Sequence, residues 1–196
     1  MATMYALFFG VFSIAVLLLG GISDRALGQD TLVNQSGAIA VGAVLNYQKR
    51  IENVRERIVN IAVREIGVRE ATGNNDGQRV EEYLAYTDLG KGYAWCAAFV
   101  SWCYGKAGLA APRNAWSPAL FPRNHRYSTK EIQRGTARQA DLFGIYSQEL
   151  GRINHVGIVR KIEGKWILTV EGNVADRVLS KRRPLATVYA FSNWLD

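Results

Sequence analysis

The chain has 196 residues, 48% of them hydrophobic and 21% charged, which excludes a disordered or fibrous chain and leaves one globular domain plus a short extra segment. A body of this size buries most of its unfolded surface without disulfide staples. The net charge of +7 favours acidic partners such as nucleic acid, an anionic membrane or an acidic wall polymer. However, no nucleic-acid-reading motif accompanies it, and nucleic acid is not expected as a partner.

In chain order, Met4 to Gly21 is an uncharged apolar run followed by Ala26-Leu27-Gly28, a small-x-small pattern suited to signal peptidase. Residues 1–28 are therefore expected to be an export signal or, if retained, a membrane anchor, with no cysteine behind the run for a lipid anchor. Residues 29–50 read as a linker with a weak helical tendency over Ile39 to Leu45, and a catalytic-sized domain is expected over 51–196. Ile51, Val54, Ile58, Ile61, Ala62 and Ile66 recur at helical spacing. After the polar loop Thr72 to Gly77, a short helix is expected to hold Val80, Tyr83 and Leu84. The turn Gly90-Lys91-Gly92-Tyr93 leads into a buried helix, Trp95 to Ala107, closed by Gly108.

Pro112 to Arg138 holds three of the four prolines and is expected to be mostly loop. Strands follow at Asp141 to Tyr146, His155 to Ile162, Lys165 to Glu171, Val178 to Arg183 and Thr187 to Phe191. The basic run Lys181-Arg182-Arg183 reads as a solvated strand edge. Helices first and strands afterwards indicate an α+β domain with an antiparallel sheet.

The two cysteines, Cys96 and Cys103, lie about 10 Å apart if they share one helix, too far to form a disulfide. Cys103, deep in the helix, reads as a small buried hydrophobe. Cys96 begins the helix, where free amides and the dipole favour a thiolate and bind an oxyanion. His155 opens a strand whose hairpin partner ends in Glu171-Gly172-Asn173. A turn near Glu163-Gly164 brings Glu171 or Asn173, depending on register, beside the imidazole, the third role of a nucleophile–base–orienter set. His125, among Arg123, Asn124 and Arg126, reads as surface. Two histidines and two separated cysteines give no zinc spacing, so neither metal nor cofactor is called for.

Tyr93 to Cys103 (YAWCAAFVSWC), Ala115-Trp116-Ser117-Pro118, Asn154-His155-Val156-Gly157 and Val170-Glu171-Gly172-Asn173 together resemble a CHAP domain over roughly residues 55 to 194. These cysteine, histidine-dependent amidohydrolases/peptidases are papain-like and occur in peptidoglycan hydrolases. The resemblance implies Cys96 as nucleophile, His155 as base, Glu171 as its orienting partner and Asn173 as a further polar member. Tyr93, Trp95 and Trp116 are expected as aromatic walls for substrate. Two features depart from the family pattern: Ala140-Asp141 replaces the Gly-Asp of many relatives, and of the acidic calcium ligands that some carry only Asp88 lies nearby. The implied protein is a monomeric, periplasmic or secreted hydrolase of a wall amide bond. The alternative is a catalytically silent wall-binding or envelope-assembly protein on the same fold.

Overall fold

Helix α1 (Ala26–Arg64) opens the part of the chain, residues 26–195, that a computed structural model describes, with side chains from residue 40 onward. The apolar run of residues 4–21, expected to be a signal or anchor, lies outside the described residues. Among the described residues no helix is long and apolar enough to cross a membrane. The described chain divides into two units between Val44 and Leu45. The described backbone of the first, residues 26–44, is helical.

The segment 29–50 is thus helical where a linker was expected. It contains no proline, the one residue that would break a helix outright, and its two glycines, Gly37 and Gly42, only weaken one. Within the second unit, residues 51–64 of α1 turn an apolar stripe inward, with Ile58, Val59 and Ala62 buried. Ile66, expected on that stripe, falls beyond the last turn and is exposed.

Helix α2 (Gln78–Tyr86) buries Val80, Tyr83 and Leu84. Helix α3 (Cys96–Lys106) buries every side chain from Cys96 to Tyr104, as expected of a helix that is apolar all round. The stretch expected to be loop carries a 3-10 turn, Ser117–Leu120, and a short helix α4 (Thr129–Gln133). Helix α4 is nucleated by a capping box in which Ser128 and Glu131 each accept from the other's backbone.

Five strands follow: β1 (Leu142–Ser147), β2 (Arg152–Glu163), β3 (Trp166–Glu171), β4 (Leu179–Pro184) and β5 (Ala190–Ser192). They form one antiparallel sheet in the order β4-β3-β2-β1-β5. The last strand is shorter than expected because Leu185–Thr187 makes a 3-10 turn after Pro184. The domain is α+β, with N-terminal helices followed by an antiparallel sheet.

Adjacent residues in the strands serve opposite faces. Leu142, Val156, Ile158 and Val170 join the helices in the main core. Phe143, Val159, Ile167 and Phe191 form a second cluster with Ala137 and Val188. Beside the sheet, fully buried Arg55 of α1 donates to Asp141 Oδ1 at 2.8 Å and to the Gln139 carbonyl at 2.7 Å. Asp141 also accepts from Tyr127 Oη at 2.6 Å and from the Arg138 amide at 2.6 Å.

Candidate active site

Cys96 is the first residue of α3, and the preceding residue, Trp95, provides no side-chain cap. Amides at this end of a helix have no intrahelical acceptor. The sulfur lies 3.4 Å from the Ser117 hydroxyl and 4.0 Å from the Asn154 carbonyl. The His155 imidazole and the Val156 amide also favour the thiolate. Burial alone would push the thiol up, but the His155 hydrogen bond and charge, with Ser117 and Val156, hold it below its ordinary value.

His155 sits near the start of β2 with 17% of its side chain exposed. Its Nε2 faces Glu171 Oε2 at 2.9 Å, which leaves Nδ1 for the thiol. Burial would lower the imidazole, yet the Cys96 and Glu171 bonds outweigh it and raise His155 to about 9. Glu171, at the end of β3, is 0% exposed. Burial disfavours its charge, but bonds from Arg183, His155 and Thr169 bring it down to about 2. Arg183 donates from Nε to Oε1 and from Nη2 to Oε2, each at 2.6 Å, and Thr169 Oγ1 donates to Oε1 at 2.5 Å.

The β2–β3 register, with β3 ending at Glu171, decides which residue of Glu171-Gly172-Asn173 meets the imidazole. Ile158 pairs with Val170, which brings Glu171 over Gly157, two residues from His155 along the same face. A Cβ on Gly157 would lie 2.9 Å from Glu171 Cγ and 2.6 Å from Phe143 Cε1, so only glycine leaves room for this carboxylate. Gly172 has the matching role toward α3: a Cβ there would lie 2.7 Å from Trp95 Cζ3 and 2.8 Å from Phe99 Cβ. The end of β3 can therefore approach the helix that carries Cys96.

Asn173 goes elsewhere. It adopts a left-handed φ of 57° and its amide donates to Asn75 Oδ1 at 3.1 Å. Among the described residues no hydrogen bond joins it to His155. Asn75 in turn donates its amide to Glu70 Oε2 at 2.8 Å, tying the loop of residues 72–77 to the end of β3. Trp95, expected on the substrate wall, is 0% exposed and belongs to the core. It packs on Tyr83 and Phe99 and donates Nε1 to Glu70 Oε1 at 2.7 Å. Placed just before the helix, its ring turns inward to cover the core that α2 and α3 share.

Tyr93 and Trp116 are each 58% exposed and line a cleft of about 630 Å³ that reaches Cys96 and Ser117. Its polar rim is Asp88, Arg113, Asn114, Arg152 and Asn154. Arg113 is steadied by Asp88 at 3.3 Å and by the Tyr86 carbonyl at 2.8 Å. Cys103 is fully buried and burial pushes its thiol well up. His125, expected on the surface, is half-buried, stacked on Trp194 at 4.1 Å and bonded through Nδ1 to the Asn193 carbonyl. Among the described residues no group of three or more His, Cys, Asp or Glu side chains could hold a metal ion.

Sequence reasoning missed Thr169 and Arg183 and gave Ser117 no role. Arg182 fits the solvated edge expected of it, stacked 4.0 Å over Trp166, but Arg183 points inward to Glu171. The signal available was a carboxylate in a buried strand, which needs a cation, together with alternation along β4.

Residues 88–173 match the family model of the CHAP domain, a span that contains Cys96, His155, Glu171 and Asn173. Among solved structures, the crystal structure of a NlpC/P60 family protein from Bacillus cereus is similar at 15% identity and a TM-score of 0.46. That similarity covers 72% of this chain and 40% of the other, so this chain spans well under half of that structure's length. No curated protein matches the chain.

Proposed function

We propose, from the match of residues 88–173 to the family model of the CHAP domain, that the chain is an exported cysteine hydrolase that cuts an amide bond of peptidoglycan. One observation carries the reading: His155 bonds Glu171 at 2.9 Å and holds the Cys96 thiol below its ordinary value, beside an aromatic cleft that reaches Cys96.

In this mechanism the Cys96 thiolate attacks the scissile carbonyl carbon. A C–S bond forms and the carbonyl π electrons move to oxygen, where the Cys96 amide at the α3 terminus holds the oxyanion. His155 then gives its Nδ1 proton to the leaving amine as the C–N bond breaks, leaving a thioester. A water molecule gives a proton to the neutral imidazole as it attacks, the C–S bond breaks, and thiolate and imidazolium are restored. Glu171 holds the imidazole in orientation through Nε2. Tyr93 and Trp116 grip the substrate, and Arg113 and Arg152 suit the anionic character of a wall peptide.

Protein lacking residues 1–28 is expected to release fragments from purified peptidoglycan, and Cys96→Ala to lower that release by at least a thousandfold. Mass spectrometry of the products identifies the new terminus and so separates an amidase from an endopeptidase. An alanine variant as active as the parent would overturn the reading.

A further inference from the structure

A buried carboxylate that orients an imidazole faces a chemical conflict. It must be ionised and fixed in direction, yet an isolated carboxylate holds an imidazolium so tightly that the proton is hard to give away. Glu171 accepts four hydrogen bonds, and the two from Arg183 come in parallel, from Nε to Oε1 and from Nη2 to Oε2. This fork geometry fixes the carboxylate plane as well as its position. The guanidinium lies 5.8 Å from the centroid of Phe143, whose ring in turn meets His155 edge-on at 6.3 Å. Arg183 is therefore held between the sheet and the carboxylate, and only 21% of its side chain is exposed.

We propose that Arg183 is a positioning residue of this site, which locks the Glu171 carboxylate toward His155 Nε2 and offsets its charge so that the imidazolium is acidic enough to protonate a leaving group. The inference rests on the hydrolase reading for its purpose, but the electrostatics can be measured without it. The groups that face the imidazole are few. Cys96 comes from α3 and Glu171 from β3, with Arg183 of β4 behind the carboxylate. Phe143 and Ile145 of β1, which flank His155, carry no charge.

Two effects of removing Arg183 act in one direction. The Glu171 charge is no longer offset, and the repulsion between guanidinium and imidazolium is lost, so both favour the protonated imidazole. A residue that merely braced β4 would loosen the Glu171–His155 bond, and His155 would become more acidic. The direction of the shift separates the two roles.

The test follows the His155 imidazole by nuclear magnetic resonance titration of the folded protein, with His125→Asn used to assign the signals. Arg183→Gln is expected to move the His155 midpoint up by about one pH unit. The alkaline limb of peptidoglycan release is expected to move with it, and kcat to fall about tenfold or more with little change in KM. Arg183→Lys, which restores charge but not the fork, is expected to return the midpoint toward the parent value while kcat stays low. If Arg183→Gln does not fold, the decision passes to Arg183→Lys: a midpoint near the parent's with kcat lowered supports the proposal, and full kcat overturns it. An unchanged or lowered midpoint in folded Arg183→Gln also overturns it. A protein with the expected midpoints but no hydrolysis would instead remove the hydrolase reading and leave the Arg183 assignment standing.

Discussion

Cys96 and His155 titrate as a pair, and their values are displaced in opposite directions. The thiol is held below its ordinary range and the imidazole is raised to about 9, so thiolate faces imidazolium between those limits. Hydrolysis is expected to follow a bell-shaped pH profile. Its acid limb falls where the thiolate gains a proton, and its alkaline limb near pH 9 falls where the imidazolium loses one. In Glu171→Gln the charge that supports the imidazolium is gone. The alkaline limb should then move to lower pH by roughly one unit or more, and kcat should fall about a hundredfold or more. A profile unchanged in Glu171→Gln would remove Glu171 from its orienting role. The same displacements bear on stability. The raised His155 value makes its interactions with Cys96 and Glu171 fully stabilising below the ordinary 6.5, and that contribution is lost as pH rises through about 9. For Glu171, lowered to about 2, the contribution is present above the ordinary 4.5 and lost as pH falls through about 2.

At the scale of elements, the site depends on β3 ending against the start of α3. The β2–β3 hairpin sets Ile158 opposite Val170, and a slip by one residue would turn Glu171 to the other face. Turn symmetry alone gives a partner for His155 between Glu171 and Asn173, and only the family resemblance favoured Glu171. The choice comes from an irregularity between Val159 and Lys161 in β2, and from Gly157, whose missing side chain opens the space for Glu171. Bulges and close approaches of this kind leave little trace in hydrophobic pattern. Gly172→Ala tests the approach from the other side. Its Cβ would press on Trp95 and Phe99, both buried, so a loss of about 1–3 kcal/mol is expected. Urea unfolding should show a lower midpoint at constant m-value, and activity should fall as the Cys96–His155 spacing is disturbed. Equal stability of Gly172→Ala and the parent would mean that the two elements can separate freely.

Across the whole domain, the candidate site residues His155 and Glu171 occupy one end of a sheet whose two faces both carry buried clusters. Buried Arg55 of α1 joins Asp141, with Tyr127 and the Gln139 carbonyl in the same cluster. Removing one partner of a buried pair leaves the other charge without adequate compensation. Arg55→Met is therefore expected to cost about 3–5 kcal/mol, read as a lower urea midpoint, and Arg55→Met combined with Asp141→Asn should cost less than the sum of the two single changes. Strict additivity would show that the two side chains are energetically independent. This pair also gives Asp141, next to Ala140, its place in the fold. Ala140 has a φ of 68°, so the backbone keeps a glycine-like conformation there, and the aspartate serves the fold rather than the chemistry.

The sequence by itself determined the α+β class, the order of the elements and the pairing of a helix-start thiol with a strand histidine. Each of these follows from local periodicity, from helix-end electrostatics, or from residue types rare enough to stand out. Tertiary structure decided how Glu171 rather than Asn173 reaches His155, that Trp95 lies in the core while Tyr93 and Trp116 line the cleft, and that Arg183 of a basic run turns inward. These depend on register, on close approach at Gly157 and Gly172, and on the need to neutralise a buried carboxylate. All three are set by residues far apart in the chain, where one-dimensional pattern carries almost no information.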